Sequence, residues 1–135
     1  TLAVTIENCK INKPLIRQVE EINNNANKNV IINHGLVSKE KVLEIYQASR
    51  ALVFPSLKES MGLPLIEANM FGIKVLSSDL PYSHEILNPP IVFNPYETKE
   101  IAKTMELFIN GKYDGITQRL KLENKMEELI KKLQK

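Results

Sequence analysis

The sequence predicts an α/β fold built on a doubly wound parallel sheet, and two observations carry that prediction. Strand-like apolar runs alternate with helix-length segments along the chain. Several of those runs, VIIN at 30–33 and ALVF at 51–54 among them, lack polar alternation, as strands buried on both faces do.

The elements follow in order. Residues 2–7, LAVTIE, read as a strand rich in Val, Ile and Thr. From Ile11 to about Asn23 the apolar residues Ile11, Leu15, Ile16, Val19 and Ile22 recur at helical spacing. The asparagine-rich stretch that follows reads as a loop, and residues 30–33 as a buried strand ending near Gly35. Ser38 is an N-cap candidate for the next helix, whose apolar face is Val42, Ile45 and Tyr46; Lys41 stands where a capping box would hold Glu or Gln. Residues 51–56 form a third strand stopped by Pro55. In the helix after it Pro64 suits the first turn and Gly72 the end. Residues 74–79 are a fourth strand, 81–87 a short helical turn, and 91–94 a fifth strand. A helix over 98–110 places Ile101, Met105, Leu107 and Phe108 inward and stops at Gly111. A last charged helix is expected over 113–134. The domain reading is therefore an α/β domain over 1–111 and a C-terminal helix over 112–135 that packs on it or on a partner domain.

Composition narrows the class. With 135 residues, 43% hydrophobic and 25% charged, the chain has ordinary globular character and suits one domain. A net charge of +2 gives no electrostatic case for nucleic acid. No apolar run nears the roughly 20 residues that cross a bilayer, and the first residues lack signal-peptide anatomy. One cysteine, Cys9, forms no internal disulfide, and two histidines, His34 and His84, make a metal site unexpected. The expected location is cytoplasmic. The 13 asparagines, five of them between positions 23 and 29, read as compositional drift.

Ligands of open parallel sheets bind at the carboxyl ends of strands. Three loops qualify, after Asn33, Ser56 and Ser77, and the second is the most informative. In PSLKESMGLPLIEA the N–H groups of Met61, Gly62 and Leu63 would open a helix and form an anion site without a basic side chain. Gly62 lets a phosphate approach the backbone. Glu59 precedes the helix and Glu67 lies about one turn inside it, so both carboxylates can flank one pocket and accept from sugar hydroxyls. Physics alone thus suggests a phosphorylated sugar or nucleotide. Glycine and proline also occur at such turns in α/β folds that bind nothing, and spacing leaves that reading open.

The run VFPSLKESMGLPLIEANMFGIKVLSSD resembles the signature of family 4 type retaining glycosyltransferases of GT-B fold. Their C-terminal, Rossmann-like nucleotide-sugar domains carry two glutamates with seven residues between them, here Glu59 and Glu67. Pro55, Ser56, Gly62, Leu63, Ala68, Gly72 and Val75 also fall on the pattern, and the likeness spans about residues 30–110. The resemblance implies a role for each position. Glu67 holds the ribose hydroxyls, and Glu59 contacts the donor sugar as the candidate catalytic residue. The loop Ser60–Met61–Gly62–Leu63 holds the distal phosphate through its N–H groups, while Leu36 and Val37 pack along the base through their main chain. Transfer would retain anomeric configuration, use a nucleotide-diphosphate sugar as substrate, and need neither metal nor other cofactor. The resemblance also implies bacterial polysaccharide biosynthesis, a glycan or lipid-linked acceptor, and possible peripheral attachment to the inner membrane face.

The chain departs from the pattern at Met61, where Phe is usual, at Asn69-Met70-Phe71, and at Lys74, where proline is usual. Asn69 puts an amide on a helix that is normally apolar. No strand precedes Leu2 to supply the family's first strand with its basic pair, and the acceptor domain is absent. The expectation is the C-terminal half of a GT-B fold lacking its first strand and inactive alone. A non-catalytic assembly module of a split glycosyltransferase, or a nucleotide-sugar epimerase of the same fold, are the alternatives. His34 is expected to cap or pack at a strand end. Ser77 and Ser78 are expected to cap backbone groups, with a hydroxyl contact as the other reading. His84 and Glu85 either face the donor sugar or serve a helical turn.

Overall fold

The computed structural model describes residues 1–121, and the chain divides into two compact units, Thr1–Ala48 and Ser49 onward. In the first unit, β1 (Leu2–Val4) pairs in parallel with β2 (Ile31–Asn33), with Leu2 opposite Ile31. Helix α1 (Lys13–Asn25) joins them, with Pro14 in its first turn, where a missing N–H costs nothing. Helix α2 (Lys39–Gln47) follows β2 and begins as expected. Ser38 caps it by accepting from the Lys41 N–H at 3.3 Å.

Two expectations change here, for one reason. The asparagines are not all loop, because α1 runs through Asn25. Nor is Asn23 drift: its amide accepts from the N–H groups of Val30 (2.9 Å) and Ile31 (3.0 Å) and donates to the Ile31 carbonyl (2.8 Å). It locks the helix end to the start of β2. The strand expected over 2–7 stops at Val4. Beyond it the Asn33 side chain accepts from the Ile6 N–H and donates to the Ile6 carbonyl, at 2.8 and 3.0 Å, in place of a partner strand.

The second unit holds a three-stranded parallel sheet in the order β3 (Ala51–Phe54), β4 (Lys74–Ser78), β6 (Ile91–Phe93). Register places Val53 opposite Leu76 and Leu76 opposite Ile91, so these residues share a face. Helix α5 (Thr98–Ile109) covers that face, and Ile101, Met105 and Phe108 pack against buried Leu76, Ile91 and Phe93. Helix α3 (Leu63–Met70) packs against β3 and β4 with Leu65 and Ala68 fully buried. A short helix, α4 (Pro81–Ile86), leads into β5 (Leu87–Asn88), which pairs antiparallel with β7 (Arg119–Leu120).

Gly72 and Gly111 end α3 and α5 in the same way. Both have positive φ, and the two N–H groups past each helix turn back onto its last carbonyls. Gly72 and Ile73 donate to Asn69 and Ala68, and Gly111 and Lys112 donate to Phe108 and Leu107.

The helix expected over 113–134 is not present in its first part. Residues 113–121 form turns and then β7, and the remainder of that expectation lies outside the described residues. The physical reason is Gln118. Its side chain accepts from the Val75 N–H at 2.7 Å and donates to the Val75 carbonyl at 3.0 Å, which requires the segment to lie flat beside β4. Pro89 and Pro90, just before β6, carry no N–H and cannot extend the ladder that far. The Gln118 amide takes the place of the missing strand residue. Asn69 is explained too, since its amide donates to the Gln118 carbonyl at 3.2 Å.

Candidate functional site

The carboxyl edge of the second unit's sheet carries the loop from Pro55 to Gly62, and the sequence dictates its shape. Pro55 stops β3, and the Ser56 hydroxyl donates to the Lys58 carbonyl at 2.9 Å to turn the chain. Gly62 then sits in the left-handed region, φ 61°, as the N-cap of α3, and its carbonyl accepts from Leu65 and Ile66. A Cβ at Gly62 would collide with Ile86 Cδ1, so glycine is required twice, by conformation and by space.

No side chain caps this helix start. Pro64 has no N–H to offer, while the N–H groups of Met61, Gly62 and Leu63 have no acceptor among the described residues. Gly62 is buried, whereas Met61 and Leu63 are 65% and 53% exposed. Donors without a partner among the described residues thus sit at the positive end of a helix dipole, beside a glycine. That is the physical form of an anion site.

The two glutamates differ in their engagement. Glu59, half-buried, accepts from the neighbouring Ser60 N–H at 2.9 Å, which ties its carboxylate to its own loop. Glu67, half-buried on α3, makes no hydrogen bond to a described residue and keeps its full accepting capacity. Ser60 is exposed. The structure thus gathers Glu59, Ser60, Met61, Gly62, Leu63 and Glu67 on one loop and the first turns of one helix. Leu36 and Val37 belong to the first unit, in the loop between β2 and α2, with Leu36 strongly exposed. Gly35, just before them, takes a positive φ and donates to the Asn33 side chain at 3.0 Å.

Helix α4 supports the same edge. Tyr82 donates from its hydroxyl to the Ser56 carbonyl at 2.9 Å and meets the Phe54 ring edge-to-face, and Ser83 donates to the Ser78 carbonyl at 2.7 Å. His84 Nε2 lies 2.6 Å from Asp79 Oδ1. Ser83 thereby does the capping expected of Ser77 and Ser78. The Ser77 and Ser78 hydroxyls are fully buried with no hydrogen-bond partner, so neither caps the backbone. His34 is exposed rather than packed, although its N–H continues the β1–β2 ladder onto the Val4 carbonyl. Asn23, Asn33 and Gln118 were not foreseeable as structural residues, because each acts on backbone distant in sequence.

A displaced pKa lies elsewhere, in the first unit. In the first turn of α2 the Glu40 carboxyl is held below its ordinary range, first by its own backbone N–H and then by the Ser38 hydroxyl. A cavity of about 290 Å³ lies at the opposite, amino end of β4, lined by Asn69, Lys74, Asp114 and Gln118 among others. It contains none of the candidate site residues. Among the described residues no group of three or more His, Cys, Asp or Glu is placed to hold a metal ion, and no helix is long and apolar enough to cross a membrane.

The model of the family described as "Glycosyl transferases group 1" matches residues 11–133. The serotype-specific mannosyltransferase WbdA of Escherichia coli is 31% identical over 77 residues, 56% of this chain and 9% of that protein. The O-antigen chain mannosyltransferase RfbU of Salmonella typhimurium is 39% identical over 64 residues, 47% of this chain and 18% of that protein. An E. coli O-antigen chain mannosyltransferase B is 32% identical over 69 residues, again 18% of its length. The matched region is thus under a fifth of these relatives. No solved structure matches the chain.

Proposed function

The chain belongs to the group 1 glycosyl transferases, and from that premise we propose that it is the donor-binding, C-terminal part of a retaining, family 4 type enzyme of GT-B fold. The single observation that carries this reading is the start of α3. Three unengaged N–H groups stand beside a buried glycine, with Glu59 before them and the free Glu67 carboxylate one turn on. A nucleotide-diphosphate sugar suits that arrangement. Its distal phosphate lies on the N–H groups of Met61, Gly62 and Leu63, with Ser60 at the loop's outer edge. Its ribose diol donates to Glu67, and Glu59 contacts the transferred sugar as the catalytic candidate.

The phosphate is neutralised by backbone dipoles, so the binding step asks for no metal ion. The acceptor is a glycan, in keeping with the O-antigen chain in two relatives' names, or a lipid-linked glycan, and in this reading it is held by an N-terminal domain at the cytoplasmic face of the membrane. A further parallel strand is proposed at the open edge of β3. That strand is four apolar residues with no charge, proline or bulge to blunt its free side.

The test is calorimetric titration of the chain with UDP and GDP. Binding by one of them is expected, and Glu67→Ala should weaken it by about 10- to 100-fold, the loss of charge-assisted hydrogen bonds. Unchanged affinity in that variant removes Glu67 from the ribose.

A further inference from the structure

Helix α4 is six residues long, yet three of them are buried and tied in different directions. Tyr82 bonds the end of β3, Ser83 bonds the end of β4, and Ile86 fills the space against Gly62. The residue between these anchors, His84, points outward, and Asp79 from the end of β4 meets its Nε2 at 2.6 Å. Asp79 is fixed in turn, since its N–H donates to the Phe93 carbonyl at 2.8 Å. Register puts Phe54 opposite Ser77, so Ser56 and Asp79 leave the sheet as neighbours. The pair therefore stands on the same carboxyl edge from which the Glu59–Leu63 loop rises.

His84 and Asp79 side chains are 48% and 57% exposed, and a side-chain contact that exposed contributes little to stability. A pair that adds little to the fold but sits on a thoroughly anchored helix fixes the direction of an imidazole. In the neutral imidazole with Nε2–H donated to the Asp79 carboxylate, Nδ1 carries the lone pair, on a side chain that is about half exposed. That atom can accept from a hydroxyl.

We propose that His84, oriented by Asp79, recognises the hexosyl group of the donor by accepting a hydrogen bond from one of its hydroxyls. Asp79 is a positioning residue and does not touch the sugar. The inference rests on the donor-site reading above, and it assigns the sugar end of that site a contact that neither glutamate supplies.

The experiment separates the two. The chain is titrated with UDP, GDP, UDP-glucose and GDP-mannose, in the wild type and in His84→Ala, His84→Gln and Asp79→Asn. Circular dichroism confirms that each variant is folded. The wild type should bind one nucleotide-sugar more tightly than the matching diphosphate. His84→Ala should weaken the nucleotide-sugar about 5- to 15-fold, one hydrogen bond's worth, and leave the diphosphate within twofold. His84→Gln, which keeps an acceptor, should recover part of the loss, and Asp79→Asn should lose less than His84→Ala. A wild type with equal affinity for sugar and diphosphate overturns the proposal while leaving the phosphate site standing. So does a His84→Ala variant that leaves the nucleotide-sugar unchanged or weakens both ligands alike. Failure of the wild type to bind either diphosphate overturns the donor-site reading itself, and the proposal with it.

Discussion

Replacing Gln118 with alanine is expected to destabilise the second unit far more than a half-exposed glutamine usually would. The side chain closes two hydrogen bonds on Val75, a fully buried residue at the start of β4, and a third, longer one on the Pro89 carbonyl at 3.3 Å. Truncation strands the Val75 N–H and carbonyl where Pro89 and Pro90 provide no substitute donor. A buried group left unsatisfied costs about 1–3 kcal/mol. Two such groups at the lower half of that range give about 2–4 kcal/mol. For a chain of this size each kcal/mol shifts Tm by roughly 3–5 °C, so a fall of about 6–20 °C is expected. Urea denaturation followed by circular dichroism measures it directly. Gln118→Glu keeps the acceptor for the Val75 N–H but sets a carboxylate oxygen against two carbonyls. It should be at least as damaging at neutral pH and recover partly when acid protonates the new carboxyl. A loss below about 0.5 kcal/mol in Gln118→Ala, with an unchanged denaturant slope, would refute the reasoning. Water would then be doing the amide's work.

Other outcomes follow from the same structure. Asn23→Ala removes three hydrogen bonds to Val30 and Ile31 and should cost about 2–3 kcal/mol in the first unit, with hydrogen exchange at those amides accelerating at least tenfold. Ser77→Ala and Ser78→Ala each delete a buried hydroxyl without a partner, so stability should hold or rise by up to about 1 kcal/mol; a loss above that would mean the hydroxyl is bonded in solution. Glu40 should titrate by NMR below an ordinary glutamate, and Ser38→Ala should move it part of the way back. Because its folded pKa is the lowered one, its small contribution is present above the unfolded value and fades as pH falls through the folded one.

Much of the fold was legible in one dimension because its signals are local. Ser38 as a cap, Pro64 in a first turn, and Gly72 and Gly111 past helix ends act within four residues of themselves. The shape of the loop from Pro55 to Gly62 was legible for the same reason. A strand stop, a glycine and a helix start are adjacent in sequence, and the donors they leave free belong to the backbone.

The errors share an opposite cause. Asn23 looked like drift, Asn69 like a misfit, and residues 113–121 like helix, because the partners that give them meaning lie 7 to 49 residues away. An amide has no periodicity to betray it, and only the folded chain shows which backbone groups lack a ladder partner. The sequence by itself therefore determined the α/β alternation, the helix termini and the Glu59–Gly62–Glu67 spacing, all products of local sterics and hydrogen bonding. Tertiary structure alone decided which side chains complete the sheets, which carboxylate stays free, and that His84 is held by Asp79. Those outcomes depend on where distant strands end, and strand ends are set by packing.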